Sequence, residues 1–538
     1  MTGPEDDKSD GVADNFRDDS CAVDSEEPAA SGPSQGARRP RKNGAAGVGG
    51  ELRGPPRADR SMAELLGELE LWHSPTREPY ATIRRGNHFE NWPIKSASFK
   101  MWLRWRSMSL GEWLSSAADL DKLIEGLAAK AIFDGPEFET WVRVGELNGT
   151  TYVDLGDYNW RCVEIPPADM SRDEHYFVRD GAPIKFVRQP TMRAMPEPTP
   201  GGTVELFRRH LNVETEGDLQ LTVGWIVNCF RPKGPYPILV ITGFQGSGKS
   251  TLLRQLGRLI DPTIGQERNL PKDERDLFVS ATQSHLQTFD NLSSINPGMS
   301  DAICRIASGG AYASRLLHSN GEQHLLQACK PTLLNGISDL ARRGDLAQRS
   351  ILVTAARLSP DKRRPEAELW SDFDHDEPMM LGVIFTAVAW ALANQAEAVA
   401  SGIRMADAAK FMEGAAESLG YEKGSFAAIW RENRRRADEI VIESDPFSFA
   451  LVEFLKEKDG DWRGSTTDLL MALDARPELD RIRRSKMWPQ TPTAASAALN
   501  RTRDAIESAG FVFERGHEGP KRSRRFIQFS RLVEDPAA

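Results

Sequence analysis

Cysteine is scarce. The chain has five in 538 residues (Cys21, Cys162, Cys229, Cys304 and Cys329), scattered and without a CxxC pair. That spacing argues against a disulfide framework or a zinc ribbon and fits a reducing compartment, so a cytoplasmic location is expected. Long apolar runs are missing too. Nothing approaches the roughly 18–20 residues needed to cross a bilayer, and the best run, Met379 to Ala393, reads as a buried helix. No membrane partner is therefore expected. The N-terminus has no apolar h-region, so no secretory signal is expected. Nor is there a basic excess: 68 Lys+Arg face 78 Asp+Glu, a formal charge of −10. A uniformly basic nucleic-acid coat is excluded, and any DNA contact must come from local patches.

The length allows roughly three or four domains. Residues 1–60 are rich in Asp, Glu, Ser, Gly, Pro and Arg and poor in large apolar side chains, the signature of a disordered tail. Residues 62–190 read as an α+β domain. Helical spacing in MAELLGELELW is followed by the strand PYATIRR, the helix FKMWLRWRSM, and strands VRVGEL and TYVDL around Asn148-Gly149, a type I′ hairpin turn. The interleaving of Trp102, Arg104, Trp105 and Arg106 has two readings. It can stack on and clamp a nucleic acid, or it can be a helix with an aromatic core face and a cationic solvent face. Residues 191–204, rich in Pro and Gly, form a linker by composition.

The strongest signal follows. The apolar strand Ile238 to Thr242 runs into Gly243-Phe-Gln-Gly-Ser-Gly248-Lys249-Ser250 and then into an amphipathic helix. This is GxxxxGK[ST] in the strand–loop–helix setting that it needs. Its glycines let backbone N–H groups turn inward around phosphates, and the helix N-terminus adds the positive end of its dipole. Gly243, Gly246, Ser247, Gly248, Lys249, Ser250 and Thr251 are therefore expected to bind ATP. Lys249 would lie on the β/γ oxygens and Ser250 on Mg²⁺.

About forty residues on, SHLQTFDNLSSI offers a strand ending in Asp290, a second Mg²⁺ ligand through water or else a cap for the next turn. Asn291 stands where many ATPases carry a water-polarising glutamate; it can orient water but cannot accept a proton. Asp273, Glu274 and Asp276 are alternative bases. PTLLNGI ends a further strand on Asn335, a candidate for contact with the γ-phosphate or its water. Arg349 precedes the final apolar strand, as a finger toward a neighbouring subunit's nucleotide or as a surface salt bridge. ASRLLH and QHLLQA read as an inserted β-hairpin, with Arg315, His318 and His324 as basic groups that either touch nucleic acid or stabilise the hairpin.

In order, GFQGSGKS, LQTFDN, SGGAYASRLLH, LLNGISDL and DLAQRSILV resemble the superfamily 3 helicase core of the AAA+ class over residues 205–360. With LPKDERDL, the chain also resembles a bacterial family of phage- or island-associated ATP-binding proteins over roughly 62–530. The resemblance implies that Asn335 is the sensor residue, that Arg349 is the trans-acting finger, and that the Arg315–Gln323 hairpin faces a central channel. Two departures stand out: Asp290-Asn291 replaces the usual acidic pair, and the hairpin turn lacks a lysine.

Residues 361–445 supply helices for a lid and packing layer, with the Arg431–Arg436 cluster a solvated face or a DNA contact. Residues 446–532 read helix–helix–helix then hairpin, the plan of a winged helix. Arg501 and Arg503 fall on its third helix, and Lys521, Arg522, Arg524 and Arg525 on the wing; a protein-interaction module is the alternative use. The expected fold is therefore an α/β P-loop core between an N-terminal α+β domain and a winged helix. The expected activity is ATP hydrolysis driving a DNA helicase or translocase of a mobile element, working as a homo-oligomeric ring. A slow ATPase switch that recruits partners is the alternative, favoured by Asn291.

Overall fold

The structure, a computed structural model, describes residues 67–110, 116–315, 323–336, 340, 343–359, 361, 363–518 and 524–532. The tail over 1–60, His318, Lys521 and Arg522 lie outside them, and for Arg315, His324 and Arg524 the backbone alone is described. The chain opens on an antiparallel meander of β1 (Leu69–His73), β2 (Pro79–Arg85) and β3 (His88–Pro93). A helix was expected through Trp72. LELWH is instead a strand, because its Leu-Glu-Leu alternation pairs with β2. Two helices, α1 (Ala97–Leu110) and α2 (Ala117–Phe133), cover the meander around Ile83, Phe99, Trp102, Leu103 and Leu127.

Further strands follow: β4 (Thr140–Trp141), β5 (Val144–Leu147), β6 (Thr150–Asp154), β7 (Cys162–Ile165), β8 (Phe177–Arg179) and β9 (Lys185–Phe186). The β5–β6 turn places Asn148 at φ 53° and Gly149 at φ 80°, as a type I′ turn requires. Val144, Val153, Val163 and Ile165 belong to the same apolar cluster as the central helices, so the expected α+β domain consists of two layers with separate cores. The expected linker is pinned: Met195 is buried, Arg193 N–H donates to Pro262 O at 2.8 Å, and Thr199 N–H donates to Pro378 O at 2.9 Å.

The central region contains α3 (Val204–His210), α4 (Glu216–Cys229), β10 (Ile238–Thr242), α5 (Lys249–Ile260), α6 (Glu274–Gln283), β11 (Gln287–Leu292) and α7 (Pro297–Ser308). The hairpin β12 (Gly310–Arg315) and β13 (Gln323–Ala328) precedes β14 (Thr332–Gly336), α8 (Gly344–Ala347) and β15 (Ser350–Thr354). The sheet order is β11-β14-β10-β15, and every pairing is parallel. Alternation along the strands separates two cores. Leu239, Ile241, Leu333, Ile351 and Val353 face one cluster, and Ile238, Val240, Phe289, Leu334 and Leu352 face the other.

Behind the first face lie α9 (Glu366–Asn394) and α10 (Ala406–Gly414), with α11 (Ser425–Ser444) along the β15 edge. By length and composition α9 could cross a membrane, but 61% of its apolar window is buried inside the protein. Asn433 of α11 lays its amide on the edge strand, accepting from Leu352 N–H at 2.9 Å and donating to Leu352 O at 2.6 Å.

A buried hub ties the first layers to this region. Arg143, fully buried at φ 66°, bonds Asp261 at 2.9 Å. Asp261 caps α5 at its C-terminal end, and its other carboxylate oxygen accepts from the His285 and Leu286 N–H groups at the entrance to β11.

The C-terminal region runs α12 (Pro446–Glu457), β16 (Trp462–Gly464), α13 (Thr466–Asp474), α14 (Asp480–Arg483), α15 (Pro492–Arg501), α16 (Arg503–Ser508), β17 (Phe511–Glu518) and β18 (Arg524–Arg531). Its antiparallel sheet has the order β16-β18-β17. The expected third helix is two. Buried Thr502 breaks it, donating its hydroxyl to Ala498 O at 3.0 Å while accepting from Ser448 Oγ at 2.8 Å. Phe447, Leu451, Leu499 and Phe529 share the cluster on the second face of the central sheet.

Candidate nucleotide-binding site

At the C-terminal end of β10 the chain turns through Gly243 at φ 142°. A Cβ there would lie 2.9 Å from Ala355 O, so the turn requires glycine. Gly248, at φ 78°, is the N-cap of α5. Leu252, Leu253, Leu256, Leu259 and Ile260 bury one face of this helix, which fixes its N-terminal N–H groups toward the loop. Lys249 Nζ donates to Gly243 O at 3.0 Å and Phe244 O at 2.9 Å, so the ammonium sits inside the curve of the loop. Asn212, which the sequence reading did not single out, braces the loop from outside through Ser247 O at 2.9 Å and Ala356 O at 2.8 Å. Thr251 continues the first turn of α5, half-buried.

Ser250 Oγ lies 3.2 and 3.0 Å from the two carboxylate oxygens of Asp290. The sheet order explains the third member: β14 lies between β10 and β11, and its end carries Asn335, whose amide donates to Asp290 Oδ1. The β11–β14 register passes from Phe289↔Leu334 to Leu292↔Gly336, a bulge that sets Asp290 and Asn291 against Asn335 alone. Asn291 takes the extra position at φ 55° and is exposed, a conformation Asn tolerates better than most residues. Asn335 is 1% exposed, and its Oδ1 has no hydrogen-bond partner. An unpaired buried acceptor costs free energy unless a ligand or water supplies a donor.

A hydroxyl beside a carboxylate is the hard-oxygen set that suits Mg²⁺. Among the described residues no group of three or more His, Cys, Asp or Glu could hold a metal. A cation on Ser250 and Asp290 would therefore need phosphate and water oxygens as well. Two of the alternative bases are used structurally: Asp273 caps α6 through Asp276 N–H at 3.0 Å, and Glu274 pairs with Arg305 at 2.6 Å, while Asp276 is exposed in the first turn of α6.

Lys249, Ser250, Asp290 and Asn335 converge; Arg349 does not join them. It precedes Ser350, which pairs with Ile238, so it stands at the opposite end of the sheet, roughly 16 Å along the strands from the loop. There it bonds Asp345 and Ser308. Two arginines near the loop were not singled out from the sequence. A Cβ on Gly246 would lie 3.6 Å from Arg363 Nη2, and the Arg357 guanidinium is 5.8 Å from the ring centre of the exposed Phe244. No periodicity marks either one; only the path of the chain after β15 brings them back.

The nucleic-acid candidates are dispersed. Arg501 ends α15 and is exposed, as is Arg525 on β18. Arg503 is not on the third helix: it opens α16, donating to Phe513 O at 2.9 Å and lying 4.5 Å from that ring. In the Arg431–Arg436 cluster, Arg434 donates to Gln348 O at 3.0 Å and Arg436 pairs with buried Asp218 at 2.8 Å.

No curated protein matches the chain. Among solved structures, the A form apo structure of the NrS-1 C-terminal region is 11% identical, with 88% of this chain and 98% of that one covered at a TM-score of 0.35. An A form apo structure of that region given as 305–718 is 10% identical, covering 89% and 99% at 0.36. An apo structure of the same residues is 12% identical, covering 75% and 82% at 0.33. Superpositions this loose carry no argument.

The family comparisons are specific. Residues 204–426 match the actinomycete integrative conjugative element replication protein, and residues 447–536 match the RepA C-terminal domain of the same elements. The two stretches make up more than half of the chain, which belongs to the family of replication proteins of actinomycete integrative conjugative elements.

Proposed function

We propose that this replication protein binds and hydrolyses ATP in a P-loop core of the AAA+, superfamily 3 helicase-like type, and uses the energy as a DNA helicase or translocase. The convergence of Ser250 and Asn335 on Asp290, beside Lys249, carries the reading. These groups come from the C-terminal ends of three adjacent parallel strands, where open α/β sheets bind ligands. Lys249 would exchange its two loop carbonyls for phosphate oxygens. Asn335 would turn its unpartnered Oδ1 to the attacking water. Mg²⁺, held by Ser250 and Asp290, would offset the charge of the phosphates.

Arg349 cannot reach the loop of its own chain, which suits a finger offered to a neighbouring copy in a ring; Asp345 would then have to release it. Arg363 supplies a cation in cis. The C-terminal helices and antiparallel sheet have the order of a winged helix, with Arg501 and Arg525 free to meet a duplex backbone.

The test is ATP turnover with and without single-stranded DNA. Lys249→Ala should abolish turnover, and Arg349→Ala should suppress it with a dominant effect in mixtures with wild type. Unchanged turnover in Arg349→Ala would sink the shared-site ring. One observation favours a second reading, a slow ATPase switch: Asn291 lacks a carboxylate where a base would stand, and its side chain points to solvent. Turnover that DNA does not stimulate would select it.

A further inference from the structure

Helix α1 has two apolar stripes. Phe99, Trp102 and Leu103 turn inward to the meander and α2. Met101, Trp105 and Met108 repeat at helical spacing on another face and are 67%, 61% and 66% exposed. The reading of α1 as one core face and one cationic face thus accounts for Trp102 but not for Trp105. Trp105 lies where two cavities meet, of about 1000 and 640 Å³, which share Arg85, Trp102 and Trp105. The β2–β3 turn brings Phe89 to this trough, 61% exposed, and the turn before β7 brings Tyr158, 83% exposed. His88 meets the Tyr158 ring edge-on at 5.6 Å.

The charge of the trough opposes that of the chain. Arg84, Arg85 and Arg106 line it, against Glu68, with Glu90 behind Arg85 and His88. Each glutamate is already matched, Glu68 by Arg106 and Glu90 by Arg85 at 3.5 Å and by His88 at 3.0 Å. Arg84 is exposed in excess of the acids. Solvent-facing aromatic rings beside guanidinium groups accept unstacked bases and their phosphates. A duplex keeps its bases stacked on one another and cannot use the rings. An aliphatic protein surface would not need the cations.

We infer that the trough between α1, the β2–β3 turn and Tyr158 is a binding site for single-stranded nucleic acid, with bases on Trp105, Phe89 and Tyr158 and phosphates on Arg84. It extends the DNA reading above to a second surface and is independent of nucleotide hydrolysis, so Lys249→Ala leaves it intact.

The test uses the full chain with EDTA and no nucleotide, titrated into fluorescein-labelled oligo-dT, the same strand with abasic sites, oligo-U and a blunt duplex. Anisotropy and tryptophan quenching are followed together. Oligo-dT is expected to bind and quench, and the abasic strand to bind more weakly. Trp105→Ala and Tyr158→Ala should each weaken oligo-dT by roughly 5- to 150-fold, while the abasic strand is held as before. Equal affinity for oligo-U fits the inference, because every base presents a π-face. Unchanged oligo-dT binding in both variants overturns it, as does an abasic strand bound as tightly as oligo-dT. Binding confined to the duplex would assign DNA contact elsewhere and leave the trough to a protein. Both side chains are solvent-exposed, so the variants retain the fold, and loss of Trp105-dependent quenching reports the contact directly.

Discussion

Removing Arg143 should unfasten the helix after the glycine-rich loop from the layers that precede it. The guanidinium is fully buried and makes four bonds: to Asp261 at 2.9 Å, Asp154 O at 2.9 Å, Arg193 O at 2.8 Å and Pro262 O at 3.1 Å. Arg143→Ala leaves the Asp261 carboxylate, 1% exposed, without its counter-charge. Breaking one partner of a buried pair costs about 3–5 kcal/mol, because the other is left charged in a poor solvent for charge. At about 2 °C per kcal/mol for a large cooperative unit, the melting transition should fall by roughly 6–10 °C.

The double variant Arg143→Met, Asp261→Asn removes both charges and should recover part of that loss, the remainder coming from the Asp154, Arg193 and Pro262 carbonyls left without a donor. Calorimetry of wild type, Arg143→Met, Asp261→Asn and the double variant, at low and high salt, measures the coupling. The shift should be insensitive to salt, since a pair this deep is poorly screened. If Arg143→Ala melted within about 1 °C of wild type, the hub would contribute nothing to the fold; a double variant that fell as far as the sum of the singles would show that the two charges are not coupled.

Lys249→Ala should weaken ATP binding by roughly 100-fold or more with little change in melting temperature, read by calorimetric titration with magnesium present. Arg363→Ala should lower turnover roughly 10-fold while binding to the trough is unchanged, assayed by phosphate release. Gly243→Ala should cost about 1–3 kcal/mol and abolish nucleotide binding, since φ 142° and the 2.9 Å approach to Ala355 O leave no room for a methyl group. His285 is held down to about 4, first by burial and then by Lys330. The unfolded chain takes up this proton near pH 6.5 and the folded chain only near 4, so stability present above pH 6.5 is lost as pH falls. Between pH 7 and 4 the wild type should therefore lose about 3 kcal/mol more than His285→Gln, compared by chemical denaturation.

What the sequence disclosed follows from how local each signal is. The glycine-rich turn, its flanking strand and helix and the Asp290 and Asn335 strands are contiguous patterns, and each stands where it was expected; the hairpin's first strand, expected at ASRLLH, is Gly310–Arg315, and its turn lies outside the described residues. That Ser250, Asp290 and Asn335 meet follows from strand order, which places β14 between the other two strands. Single residues decided the errors. Leu69–His73 pairs as a strand because two-residue alternation prevailed over an ambiguous helical spacing. Residues 191–204 look like a linker by composition but give backbone hydrogen bonds to Pro262 and Pro378. At Thr502, which accepts from Ser448, 54 residues away, the backbone leaves helical values at φ −109° and ψ 14° and splits a helix that the spacing continued. Arg143, Arg357 and Arg363 act through partners distant in the chain, and no local pattern marks them.

The amide of Asn433 has a consequence for assembly. By occupying both hydrogen-bonding groups of Leu352, it gives β15 the partner that a fifth strand would have been. A second molecule therefore cannot lengthen the sheet past this margin without first prising α11 away, which would expose Trp430 and Val441 to water. The stretch between the two family matches, residues 427–446, thus closes this edge of the central sheet.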